Sequence, residues 1–587
     1  SLPVPLTIPS SVVPALSKTL HQLITQYTAS PTSLLFLQIL ALPTLGLGCW
    51  TSKQWAKAAV KRLSSYPLLS PDYRSTIART LSQNSPPNPP RPPPAASAQS
   101  NRLAALRALK MGSASKAAKI LDSKGLAPPT EDTMAILRAL HPDSPLPVPI
   151  PPPSSPPPHP PSPLTLPPEE VSQAILASPS ASSHGPSGWS YRLLKLFLHS
   201  PACSTSFLPF MTTLCNAIIA GRPPCPTFLT PARLIPLSKG EGKVRPLAVG
   251  ECFVRLASRL LLAHFPLADL LSPIQFGVGS SGATEPIIHG INSTQSGYDE
   301  LVAVDMSNAF NTVSRTAIAA FLAEHLREAL PLFTLLYQQP TQLFTTSPTG
   351  ITALLSSSGT RQGDPLGSFL FSGGIRSTLE RFAALHPAAK VWAYLDDIFI
   401  QVPASLSATA LTHSLASLMA NIGLQVNHSK TRRITTPQLR ESGMDVLGGH
   451  IGSPASTDTF LSGQVQQASS TLSHLSSLPL PPAGQRVVVQ PAGAAPPGEA
   501  LGEEAHQHRL ATPRLADQNR RQPRLPAQVD GRHFAHRVLR HGEPVRGGWG
   551  VVCGGCGGVW VVAAQRGDAA PPSTTPTAAP GCSSPRR

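Results

Sequence analysis

The sequence predicts an α+β fold between residues 169 and 452, with helices packed on an antiparallel sheet. Three observations predict it. Helical and β-prone runs alternate throughout this region. The β-prone runs Val391–Tyr394 and Ile398–Ile400 flank adjacent acids, which indicates a hairpin with Asp396 and Asp397 at its tip. A third apolar run, Leu301–Val304, ends directly before another acid.

Composition divides the rest of the chain. The 68 prolines are about twice the usual share of roughly 5% and concentrate in two runs that cannot hold a helix. The predicted parts are a helical N-terminal region (1–85), a Pro-rich linker (86–100), a helical segment (101–144), a second Pro-rich linker (145–168), the α+β region (169–452), a helical continuation (453–480) and a tail (481–587).

The tail differs in composition from everything before it. Residues 481–587 hold five Leu and neither Ile, Met, Lys nor Tyr, whereas Gly, Ala, Pro and Arg dominate. Such a segment cannot bury enough apolar surface to fold, so we expect disorder or an out-of-frame coding end. Cys553 and Cys556 have the spacing of zinc ligands, but no second pair accompanies them, which favours chance over a metal site.

The charge of the chain favours a polyanionic partner. Lys and Arg total 47 against 30 Asp and Glu, a formal net charge of +17. Nucleic acid is the natural candidate, although basic surfaces also face membranes. The apolar run from Leu34 to Leu47 is short and interrupted by Pro43, so it predicts a buried helix and no membrane partner.

The three acids suggest a chemistry. Asp305 ends one strand, and Asp396 with Asp397 ends a hairpin, so the strands can deliver three carboxylates to one place. Carboxylate oxygens bind hard divalent cations, and a two-metal site of this kind performs phosphoryl transfer in nucleic-acid polymerases. Two alternatives stay open: an ordinary polar turn at Asp396, and a helix N-cap at Asp305.

An ordered series of motifs surrounds these acids. They lie at residues 183–189, 232–247, 275–278, 305–313, 359–367, 394–397, 423–431 and 447–452. Their order and spacing resemble the reverse transcriptases of non-LTR (LINE-type) retrotransposons over about half of the chain. The resemblance implies a right-hand polymerase with fingers and palm in residues 169–452 and a partial thumb in 453–480. It also implies RNA-directed DNA synthesis with an RNA template, a DNA primer, deoxynucleoside triphosphates and two Mg²⁺ ions, or Mn²⁺ in their place.

The same resemblance assigns roles to individual residues. Asp305, Asp396 and Asp397 are the expected catalytic residues, and they hold the metal with the Met306 carbonyl. The expected nucleotide-binding residues are Lys239, Arg245, Phe310, Arg361, Gln362, Gly363 and Lys430, and the expected primer contacts are Tyr394, Gly448 and Gly449. Phe310 would exclude a 2′-hydroxyl, and Lys430 would protonate pyrophosphate. A plain core Phe, an ordinary loop at Arg361 and an isolated surface Lys are the alternatives.

Two departures from the family leave rival functions open. No endonuclease or zinc knuckle is recognisable, and the region expected to form the thumb is short before the composition changes. An inactive remnant that only binds nucleic acid is therefore the first alternative. An RNA-dependent RNA polymerase is the second, which Phe310 and the Tyr-x-Asp-Asp order disfavour. Template, host and the choice between a nuclear and a cytoplasmic ribonucleoprotein are not encoded in any motif.

Overall fold

The computed structural model describes residues 8–47, 55–64, 66, 98–110, 114–144, 147–152, 164–280, 282–476, 549–554 and 558–563. Its α-helices are α1 (Val13–Ala29), α2 (Ser33–Leu42), α3 (Trp55–Ser64), α4 (Ala98–Lys110), α5 (Ala114–Leu121), α6 (Glu131–Leu140), α7 (Pro168–Ala177), α8 (Tyr191–Leu198), α9 (Phe207–Ile219), α10 (Pro226–Leu229), α11 (Cys252–Ala263), α12 (Leu267–Leu271), α13 (Thr284–Ser293), α14 (Ala309–Thr312), α15 (Arg315–His325), α16 (Leu330–Tyr337), α17 (Gly367–Leu385), α18 (Ala408–Ala420), α19 (Thr436–Glu441) and α20 (Pro454–Ser476).

The strands form two four-stranded sheets and three short pairs. They are β1 (Ala232–Gly240), β2 (Lys243–Gly250), β3 (Glu300–Val304), β4 (Met306–Ser307), β5 (Thr341–Ser347), β6 (Gly350–Ser356), β7 (Lys390–Tyr394), β8 (Asp397–Val402), β9 (Gln425–Val426), β10 (Arg432–Thr435), β11 (Met444–Val446), β12 (Gly449–Ile451), β13 (Trp549–Gly554) and β14 (Gly558–Ala563). The first sheet has the order β2-β1-β5-β6 and the second β10-β3-β8-β7. The predicted α+β fold with an antiparallel sheet is confirmed.

The second sheet is antiparallel throughout and carries the hairpin that the sequence predicts. Strand β8 pairs with β7 on one side and with β3 on the other, so the two acid-bearing segments are direct neighbours. Helices cover its central strands, and apolar residues of these strands pack beneath them. Val302, Ile398 and Ile400 are at most 1% exposed and belong to the main hydrophobic core. Buried strands of this composition are rigid supports for the polar residues at their ends.

The N-terminal helices belong to that same core. Leu20 of α1 and Phe36 of α2 are almost fully buried and share one hydrophobic cluster with Trp189 and Phe253. The Trp189 indole nitrogen donates to the carbonyl of Ile39 at 3.1 Å, which joins α2 to the α+β region. In this structure the described residues before the first Pro-rich linker therefore pack on the α+β region and do not stand apart from it.

The segment between the two Pro-rich runs is also integrated. Ser238 donates to the carbonyl of Gly125 at 2.9 Å, so the chain before α6 runs beside β1. Met134 and Leu137 of α6 are buried in one cluster with Leu234 of β1 and Leu343 of β5. Helix α6 therefore covers one face of the first sheet.

The C-terminal part has two described elements. Helix α20 follows β12 and occupies most of the predicted partial thumb. In the tail, β13 and β14 form an antiparallel pair that the sequence analysis did not predict. A two-stranded ribbon is marginally stable by itself, and the predicted disorder of residues 481–548 and 564–587 lies outside the described residues. Among the described residues, no helix has both the length and the apolar composition needed to cross a membrane.

Candidate active site at the end of the second sheet

Strand register brings the three predicted carboxylates to one edge. Tyr394 pairs with Asp397 across the β7–β8 hairpin, and Val304 pairs with Ile398 across β3 and β8. Asp305 follows Val304 directly, so it leaves the sheet at the same end as the hairpin tip. Adjacent antiparallel strands lie about 4.8 Å apart, which makes these acids close neighbours.

The backbone around Asp305 is held on its other side by the segment after β9. Asn427 donates its amide to the Asp305 carbonyl at 2.8 Å, and the Asp305 amide contacts the Thr431 hydroxyl at 3.4 Å. The same turn places the Lys430 Nζ 3.6 Å from Asp305 Oδ2. The predicted lysine motif and the predicted catalytic acid therefore meet.

Desolvation and mutual repulsion raise the pKa values of two of the acids, Asp396 and Asp397. Asp397 is more than a third exposed, yet partial desolvation and the negative charges of Asp396 and Asp305 raise its pKa to about 6. Desolvation and the charge of Asp305 also raise the pKa of Asp396. Three neighbouring carboxylates are therefore held in an arrangement that an added cation would stabilise.

Cations from the first sheet face this edge. Lys239 lies near the end of β1, and Arg245 on β2 pairs with Leu237 of β1. Both side chains are exposed, and the positive charges of both act on Asp396. Partial desolvation together with Arg245 and Lys430 lowers the pKa of Lys239. The space between the sheets is thus lined by carboxylates on one side and by cations on the other.

The donor set of the carboxylate edge fits a hard divalent cation. Asp305 Oδ2 is buried and accepts no hydrogen bond, and its ion pair with Lys430, at 3.6 Å, is longer than a hydrogen bond, so the oxygen can still bind a ligand. Oxygen donors are what Mg²⁺ and Mn²⁺ prefer. Among the described residues, no three His, Cys, Asp or Glu side chains are placed so that they could hold a metal ion without moving. The contribution of the Met306 carbonyl remains a prediction.

The loop that carries Gln362 and Gly363 lies against β2. The Ala248 amide donates to the Gln362 carbonyl at 2.7 Å. Gly363 has a φ of +103°, and a Cβ there would lie 2.8 Å from the Ala248 carbonyl oxygen. Only glycine fits this approach, which keeps the exposed loop backbone beside the strand that bears Arg245.

Arg361 is placed differently from what the sequence predicts. It is 5% exposed, and its guanidinium donates to the carbonyls of Thr230 and Leu336 at 2.9 Å and to the Thr341 hydroxyl at 2.6 Å. The Arg361 Nε is also buried, without a hydrogen-bond partner, so the guanidinium is enclosed in the interior and does not face phosphate or template. We therefore correct that prediction: Arg361 holds three segments of the interior together and does not belong to the nucleotide site.

Phe310 lies between the interior and the site. It is half-buried, and its ring stacks on the buried Phe371 ring with centroids 4.7 Å apart and an interplanar angle of 15°. Its carbonyl accepts from the Thr360 amide at 2.6 Å. The Phe371 ring therefore supports the Phe310 ring on its interior side. A side chain that excludes a sugar hydroxyl by steric clash would need such support.

The predicted primer contacts are on two tight turns. Tyr394 is half-buried at the end of β7, next to the carboxylate hairpin. Val446 pairs with Gly449 around a two-residue turn in which Leu447 and Gly448 have φ values of +51° and +80°. A Cβ on Gly449 would lie 2.6 Å from Ile288, so this turn packs on α13.

Sequence reasoning missed one residue at the site. Gln275 is 3% exposed, and its side-chain amide bonds to the backbone of Leu395 in the carboxylate hairpin. Its position in the motif at residues 275–278 could have indicated a role, but the sequence alone did not say what Gln275 contacts.

Known proteins resemble the same region. The family model described as reverse transcriptase (RNA-dependent DNA polymerase) matches residues 237–451, which include every candidate site residue and both acid-bearing segments. Residues 237–451 are a reverse transcriptase domain. The predicted resemblance to retrotransposon reverse transcriptases is confirmed, because the Retrotransposable element SLACS 132 kDa protein of Trypanosoma brucei gambiense is 30% identical over 278 residues.

That alignment covers 45% of this chain and 22% of the relative, so the chain spans about a fifth of the relative's length. Two solved structures of telomerase from Candida Tropicalis also resemble the chain, one apo and one with a fragment of telomeric RNA. The RNA-bound one has a TM-score of 0.29 at 12% identity and covers 38% of this chain and 43% of that one. The apo one has a TM-score of 0.30 at 11% identity, with 38% and 46% covered. The reverse transcriptase domain thus rests on the family model and the retrotransposon relative.

Proposed function

We propose that this chain is the RNA-directed DNA polymerase of a LINE-type retrotransposon, which copies an RNA template from a DNA primer with deoxynucleoside triphosphates. The observation that carries the proposal is the edge at which Asp305, Asp396 and Asp397 meet, with Lys239, Arg245 and Lys430 facing them. Carboxylates on one side and phosphate-binding cations on the other are what nucleotidyl transfer needs.

Asp305, Asp396 and Asp397 would hold two Mg²⁺ ions, or Mn²⁺, and the Met306 carbonyl would add an oxygen ligand. When bound, such ions lower the pKa of a primer hydroxyl and neutralise charge on the triphosphate. Asp305 Oδ2 supports this donor set, because this buried oxygen accepts no hydrogen bond and its ion pair with Lys430 is long, at 3.6 Å.

The side chains around the edge would orient the nucleotide. Arg245 presents a planar guanidinium suited to phosphate oxygens, and Lys239 adds a second charge beside it. Gln362 and Gly363 would bring their backbone close to the base or sugar. Lys430 would donate a proton to the leaving pyrophosphate from its position near Asp305.

Two further contacts would set specificity and primer placement. The Phe310 ring, backed by Phe371, would exclude the 2′-hydroxyl of a ribonucleotide. Tyr394 and the turn at Gly448 and Gly449 would contact the primer end near the carboxylates. Template and primer phosphates would be held by the basic surface of the chain, whose formal net charge is +17.

The test is primer extension on an RNA template with Mg²⁺, comparing the parent chain with Asp396→Asn. This substitution removes one metal ligand and should lower the rate by about a thousandfold or more, as expected when transition-state charge loses its stabilisation. Asp458→Asn changes an exposed acid of α20 outside the site and should leave the rate unchanged. Equal rates for parent and Asp396→Asn, or no extension by the folded parent, would overturn the proposal.

A further inference from the structure

The tip of the carboxylate hairpin has an unusual backbone. The turn between Tyr394 and Asp397 consists of Leu395 and Asp396, and Leu395 has a φ of +55°. Two-residue hairpin turns favour glycine at such positions, since a side chain crowds the backbone there. The position of Asp396 therefore depends on a residue in a conformation that leucine rarely adopts, so something must hold it.

Gln275 contacts both polar backbone groups of that leucine. Its Oε1 accepts from the Leu395 amide at 2.7 Å and from the Gly277 amide at 3.1 Å, and its Nε2 donates to the Leu395 carbonyl at 3.2 Å. Only this orientation of the side-chain amide satisfies all three bonds, because the opposite one would place its NH₂ group against two N–H donors. Since Gln275 is 3% exposed, water cannot replace these bonds.

The neighbours of Gln275 extend the support. The Phe276 amide donates to the Ala393 carbonyl at 2.8 Å, and the Ala393 amide donates to the Ile274 carbonyl at 2.9 Å. Gly277 lies directly under the turn, since a Cβ there would be 2.7 Å from the Leu395 nitrogen and 2.8 Å from its Cγ. Gly277 does not have a positive φ, so its lack of a side chain serves this close contact and not backbone conformation.

We propose that Gln275 is a positioning residue for the reverse transcriptase site: its amide fixes Leu395 in the left-handed conformation and thereby fixes where Asp396 presents its carboxylate to a divalent cation. This inference rests on the proposed function for its catalytic consequence. The clamp itself is a property of the folded chain and can be measured without any polymerase assay.

The first experiment compares Gln275→Met with Gln401→Met in the full chain. Gln401 is a matched control because it is also a buried glutamine, 2% exposed on β8, with three side-chain hydrogen bonds. Those bonds connect Gln401 to Trp392, Thr294 and Ile291. Gln401 pairs with Leu301, near the end of β8 that is remote from the carboxylates. Both variants should lose comparable thermal stability, since each loses a buried amide network.

Their local effects should differ. Hydrogen exchange of the Leu395 amide should be about tenfold faster or more in Gln275→Met, the size expected for loss of one hydrogen bond, and unchanged in Gln401→Met. Mn²⁺ binding, titrated by electron paramagnetic resonance, should weaken by about tenfold in Gln275→Met alone. In primer extension, kcat should fall in that variant with little change in the KM for nucleotide.

Gly277→Ala perturbs the turn at Leu395 by direct contact and is the variant to use if Gln275→Met does not fold. Its added methyl should displace Leu395 and weaken Mn²⁺ binding while the Gln275 side chain is intact. Unchanged Leu395 exchange and unchanged Mn²⁺ affinity in these variants, or equal Mn²⁺ losses in Gln401→Met, would overturn the inference. If the parent extends no primer, the proposed function fails, and the exchange and Mn²⁺ results still decide the role of Gln275.

Discussion

Two charged regions of the reverse transcriptase domain differ in how their charges are compensated. In the interior, Arg315 is 3% exposed and donates to the carbonyls of Gly359, Tyr337, Ser356 and Ser358 and to the Ser356 hydroxyl. Arg361 beside it is bound in the same manner. Burial and the charge of Arg361 lower the pKa of Arg315 to about 9. At the carboxylate edge, by contrast, the buried Asp305 Oδ2 accepts no hydrogen bond, and the other two acids have raised pKa values.

The interior charges are used by the fold, whereas the carboxylates at the edge remain available for a ligand. The two arginines donate mostly to backbone carbonyls from several segments. The remaining donor of Arg361, its Nε, is buried without a partner, so both arginines stabilise the fold and are enclosed away from a ligand. The carboxylates face one another and three exposed or partly exposed cations, so their stabilisation is incomplete until a ligand arrives. Arg361 and the carboxylates come from motifs of the same family resemblance, and residue type alone does not show which charges are already compensated.

The largest effect expected from breaking the interior region is on stability. Arg361→Met removes its three donated hydrogen bonds and leaves the carbonyls of Thr230 and Leu336 buried without that donor. We expect the free energy of unfolding to fall by about 3 kcal/mol or more. Urea unfolding followed by circular dichroism measures it. Arg440→Met, at an exposed site on α19, should change it by less than about 0.5 kcal/mol. If Arg361→Met lowered the free energy of unfolding by as little as Arg440→Met does, the hydrogen bonds of Arg361 would contribute nothing to stability.

The matching change at the carboxylate edge should alter rate without stability. Lys430→Met removes an exposed cation 3.6 Å from Asp305, and exposed ion pairs contribute little to folding. If Lys430 protonates pyrophosphate, single-turnover rates should fall by about a hundredfold. Lys243→Met, which removes an exposed charge at the turn between β1 and β2, is the control and should be silent. A rate like that of the parent would show that Lys430 is only a surface lysine.

Phe310 lies where the interior meets the site, so its replacement should affect both. Phe310→Ala removes the ring that stacks on Phe371 and with it the proposed clash with a 2′-hydroxyl. The ratio of ribonucleotide to deoxynucleotide incorporation should rise by about tenfold or more. Phe265→Ala removes another half-buried core ring away from the site and should lower stability without changing the ratio. A ratio that stays constant in Phe310→Ala would leave Phe310 as a core residue only.

The smallest effect concerns the desolvation of Asp397 and its repulsion by the neighbouring carboxylates. The pKa of Asp397 is raised to about 6 in the folded chain, above the usual value of about 4. The Asp397 carboxyl therefore binds its proton more tightly in the folded state than in the unfolded state. As a result, the free energy of unfolding falls as pH rises from about 4 through about 6. At pH 7 without divalent cations, Asp397→Asn should raise the melting temperature by about 1–2 °C, and the gain should vanish below about pH 4. Asp458→Asn should show no such gain, and a lower melting temperature for Asp397→Asn at pH 7 would contradict the repulsion.

Local pattern was sufficient for much of this molecule. Two apolar runs around adjacent acids predicted the β7–β8 hairpin, and the order of motifs predicted the reverse transcriptase domain that the family model matches. Hairpins are predictable because their pairing joins residues close in sequence. The role of Arg361 was not predictable in this way. Its partners at Thr230, Leu336 and Thr341 lie 20 to 131 positions away, so only folding reveals that its guanidinium is buried and bonded in the interior.

The sequence by itself determined that strands end in carboxylates, that a basic chain accompanies them, and that the motifs stand in reverse transcriptase order. Tertiary structure alone decided which charges remain available. Arg361 entered the interior because backbone carbonyls from distant segments converge on it. Gln275 reached Leu395, 120 positions away, because its segment runs beside β7. The type of each residue determines its side-chain chemistry. Whether a polar group already has a hydrogen-bond partner depends on distant residues that only the folded chain brings within hydrogen-bonding distance.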